Sequence, residues 1–264
     1  RSEQSMTERR AVYMSQSKLF RVPTLLGILA IVAGACAQPT QPSLPVPTSP
    51  ATPSASVTGT VIYLEKMALP PNAVVNIKLF SLSPEDAPQT TIGEQQITTA
   101  GKQFPIPFEI KYDPVSVDRK LRYGLRATIT VERQPIFTTV SRYVVITLGN
   151  PRSAELALRN VAELAKEYQE LRKQKGHWYG GAFNPDLDSP SGKLRAIMGA
   201  LGETVGQPPL QRHQIVALMG EPDSIRTTDG AEHLIYLWRS WHDYLYFVSR
   251  DGAVVTFAWW YAWE

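Results

Sequence analysis

The sequence predicts two folded domains: an all-β, immunoglobulin-like sandwich over 57–161, then a small α+β domain over 190–264 with two helices on a three-stranded antiparallel sheet. Three observations carry this expectation. Short runs alternating apolar and polar residues, separated by turn residues, fill the first region. Two apolar patterns at helical spacing, followed by three aromatic-rich runs, fill the second. Ahead of both lies an uncharged stretch, 37–56, with six prolines in 20 residues.

That stretch cannot readily form helix or ladder, because proline fixes φ and removes amide donors. It reads as an extended tether reaching about 60 Å at about 3.1 Å per residue. Before it, residues 25–35 are apolar and end at Cys36, the single cysteine. Such a run spans about 16 Å as helix, whereas a bilayer core needs roughly 20 apolar residues. With Lys18 and Arg21 ahead of it, the run reads as the apolar part of a secretion signal covering 1–35, with Met6 and Met14 both candidate starts.

In the first domain, 57–64 alternates Val57, Gly59, Val61 and Tyr63 against its polar neighbours. Further strands are expected at 73–80, 103–110, 123–129, 137–140, 143–146 and 155–161. Pro105 and Pro107 confine the third to an edge or a bulge. A connector, 162–189, begins with a charged helix bearing one stripe of Leu164, Tyr168 and Leu171, stops at Gly176, and continues as a loop holding His177, Trp178 and Tyr179. The second domain opens with helices over 192–205 and 211–219, the latter stopped by Gly220 and Pro222. Strands follow over 233–238, 244–249 and 253–260, the last two joined by an Arg250-Asp251-Gly252 turn.

Charge excludes one class of partner. The chain carries a formal +3, but residues 1–35 hold five basic and two acidic residues, leaving 22 of each beyond them. Without a basic face after processing, nucleic-acid binding is not expected. Nor is catalysis. His177, His213, His233 and His242 lack zinc-ligand spacing, His242 and Asp243 are adjacent residues that point apart, and no activated nucleophile accompanies them. No cofactor and no metal are expected.

Three resemblances sharpen these readings. Ala33-Gly34-Ala35-Cys36 resembles the lipobox of bacterial lipoproteins, although Ala33 stands where leucine is usual; this implies cleavage before Cys36 and its acylation, an ordinary secretory signal being the alternative. The motifs Gly59-Thr60-Val61, Leu69-Pro70-Pro71-Asn72-Ala73-Val74-Val75, Pro105-Ile106-Pro107-Phe108, Tyr112-Asp113-Pro114 and Tyr123-Gly124-Leu125-Arg126-Ala127 resemble the YbaY family of lipoproteins, related to type III secretion pilotins. That likeness implies a non-catalytic envelope lipoprotein with a small β-sandwich. The motif running from Gln214 to Asp223 and leading into aromatic strands resembles the SmpA/BamE-like outer-membrane assembly lipoproteins.

Five of the six tryptophans lie in the last 27 residues, among several Tyr and Phe. Neighbours such as Trp259 and Trp260 must point to opposite faces, so one face should pack on the helices, and the other should either expose an aromatic patch or be covered by the connector helix or the first domain. Trp241, His242, Tyr244, Trp260 and Trp263 are the expected partner contacts. The expected protein is therefore anchored by lipid on Cys36, faces the periplasm with the outer membrane favoured over the inner, and binds an envelope protein. A glycan- or small-molecule-binding module using the same patch is the alternative.

Overall fold

Alternation along the first strands decides which side chains meet. In the computed structural model, Val57 and Val61 of β1 (Ala55–Tyr63), Val75, Ile77 and Leu79 of β2 (Val74–Ser81), and Ile106, Phe108 and Ile110 of β4 (Ile106–Tyr112) all point into one core. Every second residue of β5 (Tyr123–Val131) from Tyr123 to Ile129 joins them. The structure describes residues 54–63, 65, 67–82, 89–205 and 210–262.

With β3 (Thr91–Thr98), β6 (Gln134–Thr139), β7 (Tyr143–Val145) and β8 (Ser153–Asn160), these strands form one eight-stranded sheet ordered β3-β2-β5-β6-β8-β1-β4, with β7 paired to β5. Its two edges nearly close. The Glu109 N–H of β4 donates to Gln95 Oε1 of β3 at 2.8 Å. Gly93 permits that approach, since a Cβ there would lie 2.7 Å from Ile110 Cγ2. The pairs are antiparallel except β1 with β8, which run parallel, Gly59 facing Ala154. Gly59 is obligatory at this crossing: an added Cβ would fall 1.9 Å from the Ala154 carbonyl oxygen and 2.7 Å from the Phe108 ring.

The chain leaves β8 directly into α1 (Val161–Arg172). Asn160 caps the helix, its Oδ1 accepting from the N–H groups of Ala162 and Glu163 at 2.9 and 3.2 Å. The helix read as a connector thus places Val161, Leu164 and Tyr168 in a second core. They meet Ile197, Met198 and Leu201 of α3 (Lys193–Val205) and Ile215 and Met219 of α4 (Arg212–Met219) there. A short α2 (Pro185–Asp188) adds Leu187.

The sheet beneath these helices has four antiparallel strands rather than three: β9 (Ser224–Thr228), β10 (Ala231–Trp238), β11 (Ser240–Arg250) and β12 (Ala253–Tyr261), in that spatial order. The extra strand is polar and almost wholly exposed, so it carries no apolar alternation to reveal it. Its turn is pinned from several sides. Arg172 donates to the Met219 and Glu221 carbonyls, each at 3.2 Å, and to Asp223 Oδ1 at 2.5 Å. Asp223 Oδ2 accepts the Leu237 N–H at 2.8 Å, and the Tyr236 hydroxyl donates to the Gly220 carbonyl at 3.0 Å.

The two layers are joined by charge as well as by chain. Arg126 on β5 pairs with Glu203 on α3. Glu167 on α1 accepts from Arg159 at 2.8 Å and from Lys193, and these two cations hold its carboxyl below the ordinary value against the opposing effect of burial.

Candidate functional site

Strand alternation divides the β10–β12 aromatics into two sets. Leu234, Tyr236 and Trp238 of β10, Leu245 and Phe247 of β11, and Phe257, Trp259 and Tyr261 of β12 face the helices. Trp259 lies under Arg195, whose guanidinium carbon is 3.5 Å from the ring centre, and stacks on Tyr261 at 6.0 Å.

The opposite face is an aromatic row. Register places Tyr244 opposite Trp260, and their rings stack at 6.1 Å. Trp241 meets Tyr244 edge-on at 6.0 Å, and the guanidinium of Arg226 from β9 covers the Trp241 ring at 4.7 Å. Tyr246 continues the row 6.2 Å beyond Tyr244, and His233 of β10 lies parallel to it at 5.5 Å. Trp241 and Trp260, the two indoles against Tyr244, are 46% and 52% exposed, while Tyr244 and Tyr246 are half-buried. The Trp and Tyr rings offer flat apolar surface, each with a hydroxyl or indole N–H at its edge.

Of the residues expected to act together, Trp241, Tyr244 and Trp260 are brought onto this face. His242 is not. Ser240 turns the chain through a positive φ of 52°, and the His242 N–H donates to the Arg239 carbonyl at 3.0 Å, so alternation breaks there. His242 therefore sits on the helix side, 4.9 Å from the Trp178 ring and 3.3 Å from Asp243 Oδ1. Trp263 and Cys36 lie outside the described residues. Arg226, His233 and Tyr246 were missed from the sequence. Tyr246 was findable, because it stands two residues from Tyr244 on one strand; Arg226 required the unrecognised β9.

The turn carrying His242 rests on the loop before α3. Asp188, 5% exposed, accepts N–H donors from His177 at 3.0 Å and Asn184 at 2.8 Å. Burial alone would raise its carboxyl. The backbone donors of Asn184, His177 and Trp178, with the His177 ring, outweigh burial and hold it below the ordinary 3.8. The Asp188 carbonyl in turn accepts from Arg239 Nε and Nη2 at 2.9 and 2.7 Å, and Tyr179 Oη accepts the Ser240 N–H at 3.1 Å. Among the described residues, no group of three His, Cys, Asp or Glu is gathered in a way that would hold a metal ion.

Comparison with known proteins finds similarity over the first layer. Residues 52–158 match a family described as the type III secretion system lipoprotein chaperone, YscW. Over 120 residues the chain is 36% identical to the "Uncharacterized lipoprotein YbaY" of Escherichia coli (strain K12); the alignment covers 46% of this chain and 63% of the length of that curated relative. An alternative pilotin from the type II secretion system of Vibrio cholerae is 37% identical, covering 40% of this chain and 96% of that one with a TM-score of 0.39. The eight-stranded sheet is thus similar in sequence to lipoprotein chaperones. The four-stranded sheet and its helices lie beyond the residues the family matches.

Proposed function

We propose that this chain is a non-catalytic envelope lipoprotein that binds a protein partner during secretion or envelope assembly, anchored by lipid on Cys36 and facing the periplasm. Sequence similarity of the first layer to lipoprotein chaperones supports the setting. The partner surface is the row Trp241–Tyr244–Trp260 with Arg226 at its edge, and its exposure on an ordered sheet is the observation that carries the reading. Trp, Tyr and Arg are the residue types that dominate binding energy at protein interfaces, and a rigid sheet loses little entropy when they are covered. We further infer two folding domains meeting between 160 and 161, the second comparable to the BamE-like lipoproteins by its Gly220-Glu221-Pro222-Asp223 turn.

The test is photo-crosslinking in cells from a benzophenone side chain at 241 or 260, with the same group at exposed Lys166 as control. A discrete adduct with an envelope or secretion component from 241 and 260, absent from 166 and lost with Tyr244→Asp, supports the proposal. No adduct, or the same adducts from all three positions, refutes it. Retention of the purified protein on peptidoglycan, lost in Trp260→Ala, would instead establish the glycan-binding alternative. Anchoring is tested separately: Cys36→Ser should yield a protein without the lipid mass and free of the membrane fraction.

A further inference from the structure

The outer face of the four-stranded sheet and the proline-rich stretch before β1 match in chemistry. The face is nearly neutral. Its cross-strand lines centred on Tyr244, Tyr246 and Val248 hold one permanent charge among the described residues, Arg226, and no carboxylate. Tyr244 stands 6.0 Å from Trp241, 6.1 Å from Trp260 and 6.2 Å from Tyr246. None of the indole N–H or hydroxyl groups of these four has a hydrogen-bond partner among the described residues. The surface therefore offers ring faces to an apolar ligand and unused donors to carbonyl oxygens.

The stretch 37–53 has no charge either, and its prolines recur every third residue, at Pro39, Pro42 and Pro45 and again at Pro47, Pro50 and Pro53. Polyproline II has three residues per turn and a rise of about 3.1 Å, so each set forms one edge with a proline about every 9.3 Å. Alternate rings of the row lie at most two steps apart, enough to meet this repeat. The polyproline backbone makes no internal hydrogen bonds, which leaves its carbonyls to accept from the Trp and Tyr donors. Its stiffness limits the entropy lost on docking.

We propose, resting on the reading of the row as a partner surface, that it binds a proline-rich segment in polyproline II conformation and that residues 39–53 of a second copy of this chain supply it. The place where the stretch meets the fold favours a second copy. β1 runs parallel to β8, and β8 leads into α1, so the stretch ends at Ala55, a strand length of about 25 Å from the end where the second layer begins. Pro47, Pro50 and Pro53 of the same molecule would have to double back over that distance, whereas a neighbouring copy presents them freely. Two copies then exchange segments, each row filled by the stretch of the other, as a two-fold arrangement requires.

The probe is a dye-labelled synthetic peptide of residues 37–53, titrated by fluorescence anisotropy with the full chain in detergent. Its counterpart with all six prolines changed to alanine is the control. Light scattering of the full chain against concentration reads self-association. Trp241→Ala and Trp260→Ala keep the fold, because both side chains stand about half in solvent. The native peptide should bind and lose about tenfold or more affinity in each variant, as should the alanine peptide on the native chain. The full chain should pass to a dimer that excess peptide dissociates. Absence of peptide binding, equal binding of the alanine peptide, affinity unchanged in both variants, or a chain that stays monomeric while the peptide binds overturns the proposal. An envelope protein crosslinked from 241 and 260 with no binding of the peptide leaves the partner surface standing and removes this occupant alone.

Discussion

Removal of the Asp188 carboxylate should loosen the loop that carries Trp178 and the turn that carries His242. The side chain accepts the N–H groups of His177 and Asn184 at 3.0 and 2.8 Å, and Asp188→Ala leaves both donors without it. Hydrogen bonds to charged groups contribute about 1.5–3 kcal/mol each. Asp188 is covered but lies close beneath the surface, where water takes over part of the lost role, so the expected cost is about 2–4 kcal/mol. Urea unfolding followed by tryptophan fluorescence measures it. The pH dependence supplies an independent arm. The carboxyl sits below its ordinary 3.8 in the folded state, so its contribution is complete above 3.8 and disappears as pH falls through the lower folded value. Asp188→Asn should lose that acid-limb slope while keeping one acceptor oxygen. Gly176 adds a coupling test, because a Cβ there would lie 2.3 Å from Asp188 Oδ1. Gly176→Ala should be costly in the native background and nearly neutral beside Asp188→Ala. Additive costs, or a loss below about 1 kcal/mol for Asp188→Ala, would refute the reasoning.

The other expectations concern packing and charge. Tyr168 buries its hydroxyl without a hydrogen-bond partner, so Tyr168→Phe should leave stability unchanged or raise it by about 1 kcal/mol; a clear loss in thermal unfolding would sink the idea. Gly59→Ala drives a methyl into the Ala154 carbonyl and should cost about 3 kcal/mol or prevent folding, read from soluble yield and denaturant midpoint. Glu167→Gln should weaken stability near neutral pH and flatten its fall below the ordinary 4.5, since Arg159 and Lys193 favour the charged form; an unaltered acid limb counts against it. Cost from Arg126→Met well below that from Glu203→Ala would show that the guanidinium, pushed down by burial and Arg142, is the strained member of the pair.

Legibility in the sequence tracked burial. The runs at 57–64, 73–80 and 123–129 became β1, β2 and β5 within two residues at each end, because their inward residues are large and apolar. The helix stopped by Gly220 was marked by its stripe and its stop, whereas α1 was marked by its stripe alone, since it ends at Arg172 rather than at the expected Gly176. Two strands escaped notice. Both β3 (TIGEQQIT) and β9 (SIRTT) lie at sheet edges, where polar side chains are tolerated and pairing, not apolar pattern, makes the strand. Local alternation also could not show whether two sheets stack or one sheet curls. That depends on which strands pair, and the pairing of β1 with β8 joins residues about a hundred positions apart. At the site, Tyr244 and Trp260 were legible from strand periodicity. His242 was not, because residues 241–243 bulge out of the ladder between the Leu237–Tyr244 and Trp238–Ser240 pairs.

The placement of β1 has a mechanical consequence. The strand lies between β4 and β8, bonded on both flanks along most of its length, and the chain enters it at Ala55. A pull on the preceding residues, directed along the strand, loads both ladders in shear. Their hydrogen bonds then share the force and must fail together, whereas an edge strand peeled sideways releases them singly. The rate of rupture under such a load should then be governed by that double ladder rather than by overall stability.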